Sequence, residues 1–395
     1  MSTNPDLKPG APTEQSYDIE DVSVAPLIAD EDDPESIYVA PNWKLVWWRF
    51  KKHKLAVFSA IIVLFIAIVA LMPSFFSTQE PHESDATELF IPPQRLHFFD
   101  EGSLQLFVYA VEGVRNPETL RMEWQTSTEE KVYLQLLARG YPYEILGLIK
   151  TNIHLLGLAD PESGDSFHLL GTDRLGRDQW SRLMYGSRTS LSIGLVAVIL
   201  STILGIVLGG LSGYYGGTVD LVIQRLIELL QSLPAVPIWL ALSAAMPRSW
   251  SVEQTYFAIT IILALIAWTT LAREIRSRFL TLREEDYVVA AKLSGAKEAR
   301  VVFRHMMPTM YSHIIASVTL AIPVMIISET FLSFLGLGLR PPAISWGVLL
   351  QEAQNLQSIA LAPWLLLPGL AVIITVLTMN IMGDGLRDAA DPYSQ

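Results

Sequence analysis

The sequence predicts an all-α integral membrane protein with six transmembrane helices and a small β or α+β insert outside the membrane. Three observations predict it. Of 395 residues, 51% are hydrophobic and only 17% charged, with a mean hydropathy of +0.35; soluble domains carry about 25% charge. Six stretches approach the roughly 20 mostly apolar residues that a helix needs to cross the hydrocarbon core. Between the first two lies a long connection, from about Ser77 to Ser190, with strand-like runs and turn signals.

The chain begins with an acidic segment, residues 1–42, in which acidic residues from Asp6 to Glu35 face Lys8 alone. Such a segment buries too little apolar surface to offset its chain entropy and is expected to be a disordered cytoplasmic tail. Its first thirty residues lack the basic and apolar regions of a secretory signal. Residues 43–76 are read as a basic flank and the first span, "LAVFSAIIVLFIAIVALM" from Leu55 to Met72. Residues 77–168 are the insert, where "LQLFVYAV" and "KVYLQLLA" alternate with "RNPET" and "RGYPY"; a structureless loop of that length is improbable.

Residues 169–392 hold five further spans, near Leu191–Tyr215, Leu221–Ala245, Tyr256–Ala272, Tyr311–Leu335 and Leu361–Met382. Pro234 and Pro237 are expected to kink the third span. Gly205, Gly209 and Gly213 recur every four residues in the second, a spacing that lets helices pack closely in lipid, here within the chain. Arg225 and Glu228, three residues apart in the third span, are expected to pair with each other. Glu329, near the outer end of the fifth, is a candidate for lining a translocation route, because an ionisable group in hydrocarbon is costly and is usually paired or functional.

Arg49, Lys51, Lys52 and Lys54 precede the first span and place the N-terminus in the cytoplasm; six crossings return the C-terminus there. The connector 273–308 is then cytoplasmic, in agreement with its many Lys and Arg. Arg174, Arg177, Arg182 and Arg188, before the second span, run against this rule, though long loops largely escape it. The chain has no cysteine, which excludes disulfides and thiolate metal sites. It holds no Gly-Lys pair, hence no Walker A loop, and no His-Glu-x-x-His. No catalytic residue, cofactor or metal is expected in this chain, and no nucleic acid among its partners.

The connector contains "TLREEDYVVAAKLSGAKEARVVFRHMMP". Thr281 and Glu284 have capping-box spacing, predicting a helix from Leu282. Gly295 suits the left-handed position that ends it. A second short helix, "KEARVVFRH", follows, and Pro308 marks the start of the fifth span. Small Ala290 and Ala291 would let a partner approach, with Ala291 expected against that partner.

These residues resemble the EAA motif of ABC importer permeases, specifically the dipeptide and oligopeptide (and nickel) branch. Ala290, Ala291, Gly295 and Pro308 match in register; Val289 stands at the Glu position and Met307 at the Leu position. "LLGTDRLGRDQWSRLMYGSRTSL", "GYYGGTVDLVIQR", "ETFLSFLGLGLRPPAISWGVLL" and "GDGLRDAADP" resemble the same branch, together covering Leu169 to Pro392. The resemblance implies a type I importer arrangement in the bacterial inner membrane. It makes the connector a coupling helix, with Asp286, Tyr287, Ala290, Ala291, Leu293, Gly295, Ala296 and Pro308 as its coupling residues. It also implies a second permease subunit, two ATPase subunits carrying ATP and magnesium, and an extracytoplasmic solute-binding protein, for which the insert is expected to form part of the platform. Peptides are the implied cargo; nickel, opines and oligosaccharides use related permeases. Two other classes fit a multispan chain. An ion-coupled secondary transporter would show midplane acids and broken helices, and a membrane-anchored structural protein would act through its insert.

Overall fold

The computed structural model describes residues 42–390, apart from 101, 116, 118–121 and 162. Almost all of the expected acidic tail lies outside the described residues. Helix α1 (Asn42–Lys52) ends on Arg49, Lys51 and Lys52. The His53 ring accepts the Ala56 amide at 3.1 Å and so caps α2 (Lys54–Leu71), the first span. A single turn, α3 (Pro73–Phe76), closes it.

The insert follows as β1 (His97–Asp100), β2 (Ser103–Arg115), β3 (Met122–Ile145) and β4 (Ile149–Leu158). They form one antiparallel sheet in the order β1-β2-β3-β4, so the described insert is β. Alternation turns Val108 and its cross-strand partner Val132 to the same buried face, with Leu134 and Phe167.

Helix α4 (Gln179–Tyr215) starts well before the apolar run at Leu191, because Asp178 caps it: its carboxylate accepts the Ser181 amide at 2.7 Å. The third expected span is two helices, α5 (Gly217–Ser232) and α6 (Ala235–Ala244), bent by 83° across their break. Pro234, the residue before α6, has no N–H to continue the helix, which makes the predicted kink a full break. Helix α7 (Val252–Leu282) opens on a reciprocal capping box between Ser251 and Gln254. Then come α8 (Asp286–Leu293) and α9 (Glu298–Arg300), which runs through a π turn and a 3-10 turn into α10 (Tyr311–Phe334). Helices α11 (Trp346–Glu352) and α12 (Leu356–Leu361) precede the last span, α13 (Leu367–Ala390). Among the described residues five helical segments are long and apolar enough to cross a membrane, and the bent pair α5–α6 makes a sixth if counted as one.

The glycine stripe is the seam between α4 and α7. A Cβ at Gly209 would stand 2.8 Å from Ala272 Cα, and one at Gly205 would stand 3.1 Å from Leu271 Cβ. The stripe thus serves packing within the chain, which the four-residue spacing predicts. Ile193, Ala197, Ile259, Leu263, Met325 and Leu332 complete the central core.

Candidate functional site

The ends of α7 and α10 that flank the connector build the candidate coupling element. The predicted capping box at Thr281 and Glu284 is absent: α7 continues through Thr281, whose hydroxyl bonds back to Ser277 O at 3.4 Å, and Glu284 is held by Arg283 at 3.0 Å. A long, well-packed span outcompetes a local cap, and α8 starts four residues later than Leu282, at Asp286. Its end is as predicted. Gly295 has φ +76°, its amide bonds Lys292 O at 3.0 Å, and the Ala296 amide bonds Ala291 O at 3.1 Å. That pair of bonds is a Schellman turn, which satisfies the last carbonyls of the helix.

The two faces of α8 are distinct. Val288 is fully buried, and Ala291 and Ala296 pack toward the same cluster as Val301, Met306 and Met310. Asp286, Tyr287, Ala290 and Leu293 are exposed, Leu293 by 83%. The residue turned outward is therefore Ala290, whereas the sequence reading placed Ala291 there. In a helix this short, one small residue facing in and the next facing out cannot be told apart by spacing. Pro308 lies exposed in the 3-10 turn, three residues before α10; the expected second helix is continuous with that span, without a separating break.

Two contacts bind the element to the second span. The Tyr215 hydroxyl donates to Glu298 at 2.8 Å, and the Lys292 ammonium lies 5.3 Å over the Tyr214 ring. Beside them Arg276 of α7 grips Asp220 of α5 with two bonds, Nε at 2.5 Å and Nη2 at 2.6 Å, a bidentate geometry peculiar to arginine. Ser212 of α4 also donates to Asp220. Three spans are thus joined at the root of the connector. Sequence reasoning missed Asp220 as a partner; the only signal was a carboxylate at the start of a membrane helix.

A second polar assembly lies at the opposite end of α4. Asp173 accepts the Leu175 amide at 2.7 Å and Arg177 Nε at 2.7 Å, across a turn where Gly176 has φ +71°. Arg177 reaches on to Glu352 of α11 at 2.6 Å, and fully buried Arg182 lies 3.6 Å from Asp173 and 3.7 Å from Glu352. The arginines that oppose the orientation rule are, in these two cases, ion-paired. His168 sits between Asp178 and Glu88, 3.1 Å from each. Burial works against its charge, but the two carboxylates outweigh burial and push its pKa up to about 9.

Glu329 is fully buried. Its carboxylate accepts Ser333 at 2.8 Å and Ser190 at 3.1 Å, and Ser190 in turn accepts the Trp346 amide at 3.1 Å. Within this chain the residue joins α4, α10 and the start of α11. Arg225 and Glu228 pair at 2.7 Å on an exposed face, as their spacing predicts. No group of three or more His, Cys, Asp or Glu suited to a metal occurs among the described residues.

Comparison with known proteins places this architecture. Residues 205–393 match the family model of the binding-protein-dependent transport system inner membrane component. Residues 42–93 match the N-terminal TM domain of oligopeptide transport permease C. The four strands lie outside both matches. The oligopeptide transport system permease protein OppC of Bacillus subtilis (strain 168) is 36% identical over 240 residues, covering 60% of this chain and 75% of the relative. The dipeptide transport system permease protein DppC of the same organism is 37% identical over 234 residues, 59% of this chain and 70% of the relative. A chain of the inward-facing MetNI methionine ABC transporter aligns over 53% of this chain and 96% of its own, at 16% identity and a TM-score of 0.41. The chain belongs to the family of binding-protein-dependent transport system inner membrane components, the ABC importer permeases, in the branch of the oligopeptide and dipeptide permeases.

Proposed function

We propose that this chain is one of two permease subunits of an ATP-driven peptide importer. Its α8 docks on ATPase subunits that hold the ATP and magnesium, and an extracytoplasmic binding protein delivers the cargo. Both termini lie in the cytoplasm. One observation carries the coupling role. Helix α8 presents Tyr287, Ala290 and Leu293 outward on a short element whose other face is locked into the ends of α7 and α10. A push on the outward face is transmitted to the spans, because the inward face has no slack: Val288, Val301 and Met306 are all fully buried. Peptide cargo is supported by the likeness to OppC and DppC.

The test is uptake by vesicles carrying the complete complex, loaded inside with ATP and supplied outside with binding protein and a labelled oligopeptide. ATP-dependent accumulation of the peptide is expected, with none when the permease is omitted. Accumulation driven by an ion gradient without ATP would overturn the reading. ATP-dependent uptake of nickel and not of peptide would leave the mechanism and change the cargo.

A further inference from the structure

We propose that the sheet is seated on the outer leaflet, with the β3–β4 hairpin tip immersed among lipid headgroups and upper acyl chains. The tip reads Leu146-Gly147-Leu148-Ile149. Leu148 is 83% exposed, Ile149 63% and Leu146 54%. Turns facing water use Gly, Asn, Asp and Ser, and a leucine at positive φ is disfavoured. Here Leu146 has φ +51° and still offers its side chain outward. Leucines so placed fit an apolar medium.

The root of the hairpin is tied to the ends of the first two spans. His154 bonds Ser74 O at 2.7 Å and Tyr141 O at 3.0 Å. The Tyr141 hydroxyl meets Ser77 and, at 3.3 Å, Tyr185. Strand β3 thus stays beside the ends of the first two spans along this stretch: Leu134 and Leu136 share a cleft with Phe76 and Trp180, and Tyr141 meets Ser77 and Tyr185. The tip follows Tyr141 within a few residues. Register shifts between Arg139 and Tyr143 bend the hairpin there.

The surface beneath is continuous with the lipid-facing side of the first span. Phe58, Ile61, Phe65 and Ile68 form an exposed stripe on α2, and the Phe65 ring meets Phe76 at 6.1 Å. Phe76 then lines a cleft of about 620 Å³ whose other walls include Leu104, Leu136, Leu155 and Trp180. Tyr141, Tyr143 and Trp180 flank this apolar surface in the manner of rings at a membrane–water boundary, and the Glu144–Lys150 pair stands just behind the tip.

The chain has no native cysteine, so single-cysteine variants give a clean test. Leu148→Cys, and Glu129→Cys far back along β3, are labelled with an environment-sensitive fluorophore. The full chain is purified with the subunits it assembles with and reconstituted in phosphatidylcholine vesicles. Lipids spin-labelled high on the acyl chain should quench the probe at 148 at least about twofold and leave that at 129 unchanged, while aqueous iodide should do the reverse. Iodide quenching at 148 as strong as at 129 would overturn the proposal. So would protection of 148 from both quenchers, which would assign the tip to a protein partner.

Discussion

Arg177 and Glu352 stand 175 residues apart in the chain and 2.6 Å apart in space. With Asp173 and Arg182 they form a buried assembly that fastens the N-terminal end of α4 to α11. Removing one member leaves the rest uncompensated out of water, which costs several kcal/mol. Glu352→Ala should lower the thermal unfolding midpoint of the purified chain markedly, by roughly 3 kcal/mol or more in stability. The double variant Arg177→Met with Glu352→Leu should recover part of that loss. Equal midpoints for the wild type and Glu352→Ala would show that the assembly contributes nothing.

His168 makes the region before α4 pH-dependent. Its folded pKa, about 9, lies above the ordinary 6.5, so its two ion pairs stabilise fully below pH 6.5 and are lost as pH rises through 9. The shift corresponds to at most about 3 kcal/mol. Hydrogen exchange in the segments around Glu88 and His168 should accelerate between pH 7 and pH 10, after correction for intrinsic rates, and His168→Gln should remove that pH dependence. A corrected rate that is flat across this window in the wild type would contradict the assignment.

The glycine seam can be probed with a paired control. Gly209→Val should split α4 from α7, since even a Cβ at Gly209 collides with the Ala272 backbone. Gly210→Ala should be tolerated, because its nearest neighbours, in the Phe279 ring, are at 3.7 Å. Yield of monodisperse protein after detergent extraction reads both. Equal yields would mean that the two helices separate without cost.

What the sequence disclosed, and what it hid, follows from how local each cause is. The spans, a bend near Pro234 and the left-handed Gly295 are set by neighbouring residues, and the pattern shows them, though not that the bend is a full break between α5 and α6. The sheet was legible only as strand-like runs, since pairing such as Val108 with Val132 depends on a distant partner. Arg177 and Arg182 looked like violations of an orientation rule because Glu352 lies far along the chain. Ser251 and Gln254 carry capping-box spacing that goes unnoticed beside the apolar run that follows, while Thr281 and Glu284 carry the same spacing and lose to the packing of α7.

The Schellman turn supplies a mutation that separates docking from coupling. A Cβ at Gly295 meets nothing within 4 Å, so Gly295→Val acts through the backbone alone, at a cost of at least about 1 kcal/mol. The turn should open while α8 keeps its outward face. We expect the ATPase subunits to remain bound and to hydrolyse ATP without moving peptide in reconstituted vesicles. Full uptake by Gly295→Val would show that the turn is not needed for coupling.

Co-purification of the ATPase subunits with an Ala290→Arg chain tests the central claim most directly. Ala290 faces outward, so the permease itself should insert and fold as before. An arginine on the proposed docking face would bury an unpaired charge at several kcal/mol, and each 1.4 kcal/mol is about tenfold in association. The account predicts that ATPase recovery falls by at least tenfold, while the inward-facing Ala291→Gly keeps it near the wild-type level. Wild-type recovery with Ala290→Arg would contradict α8 as the docking element.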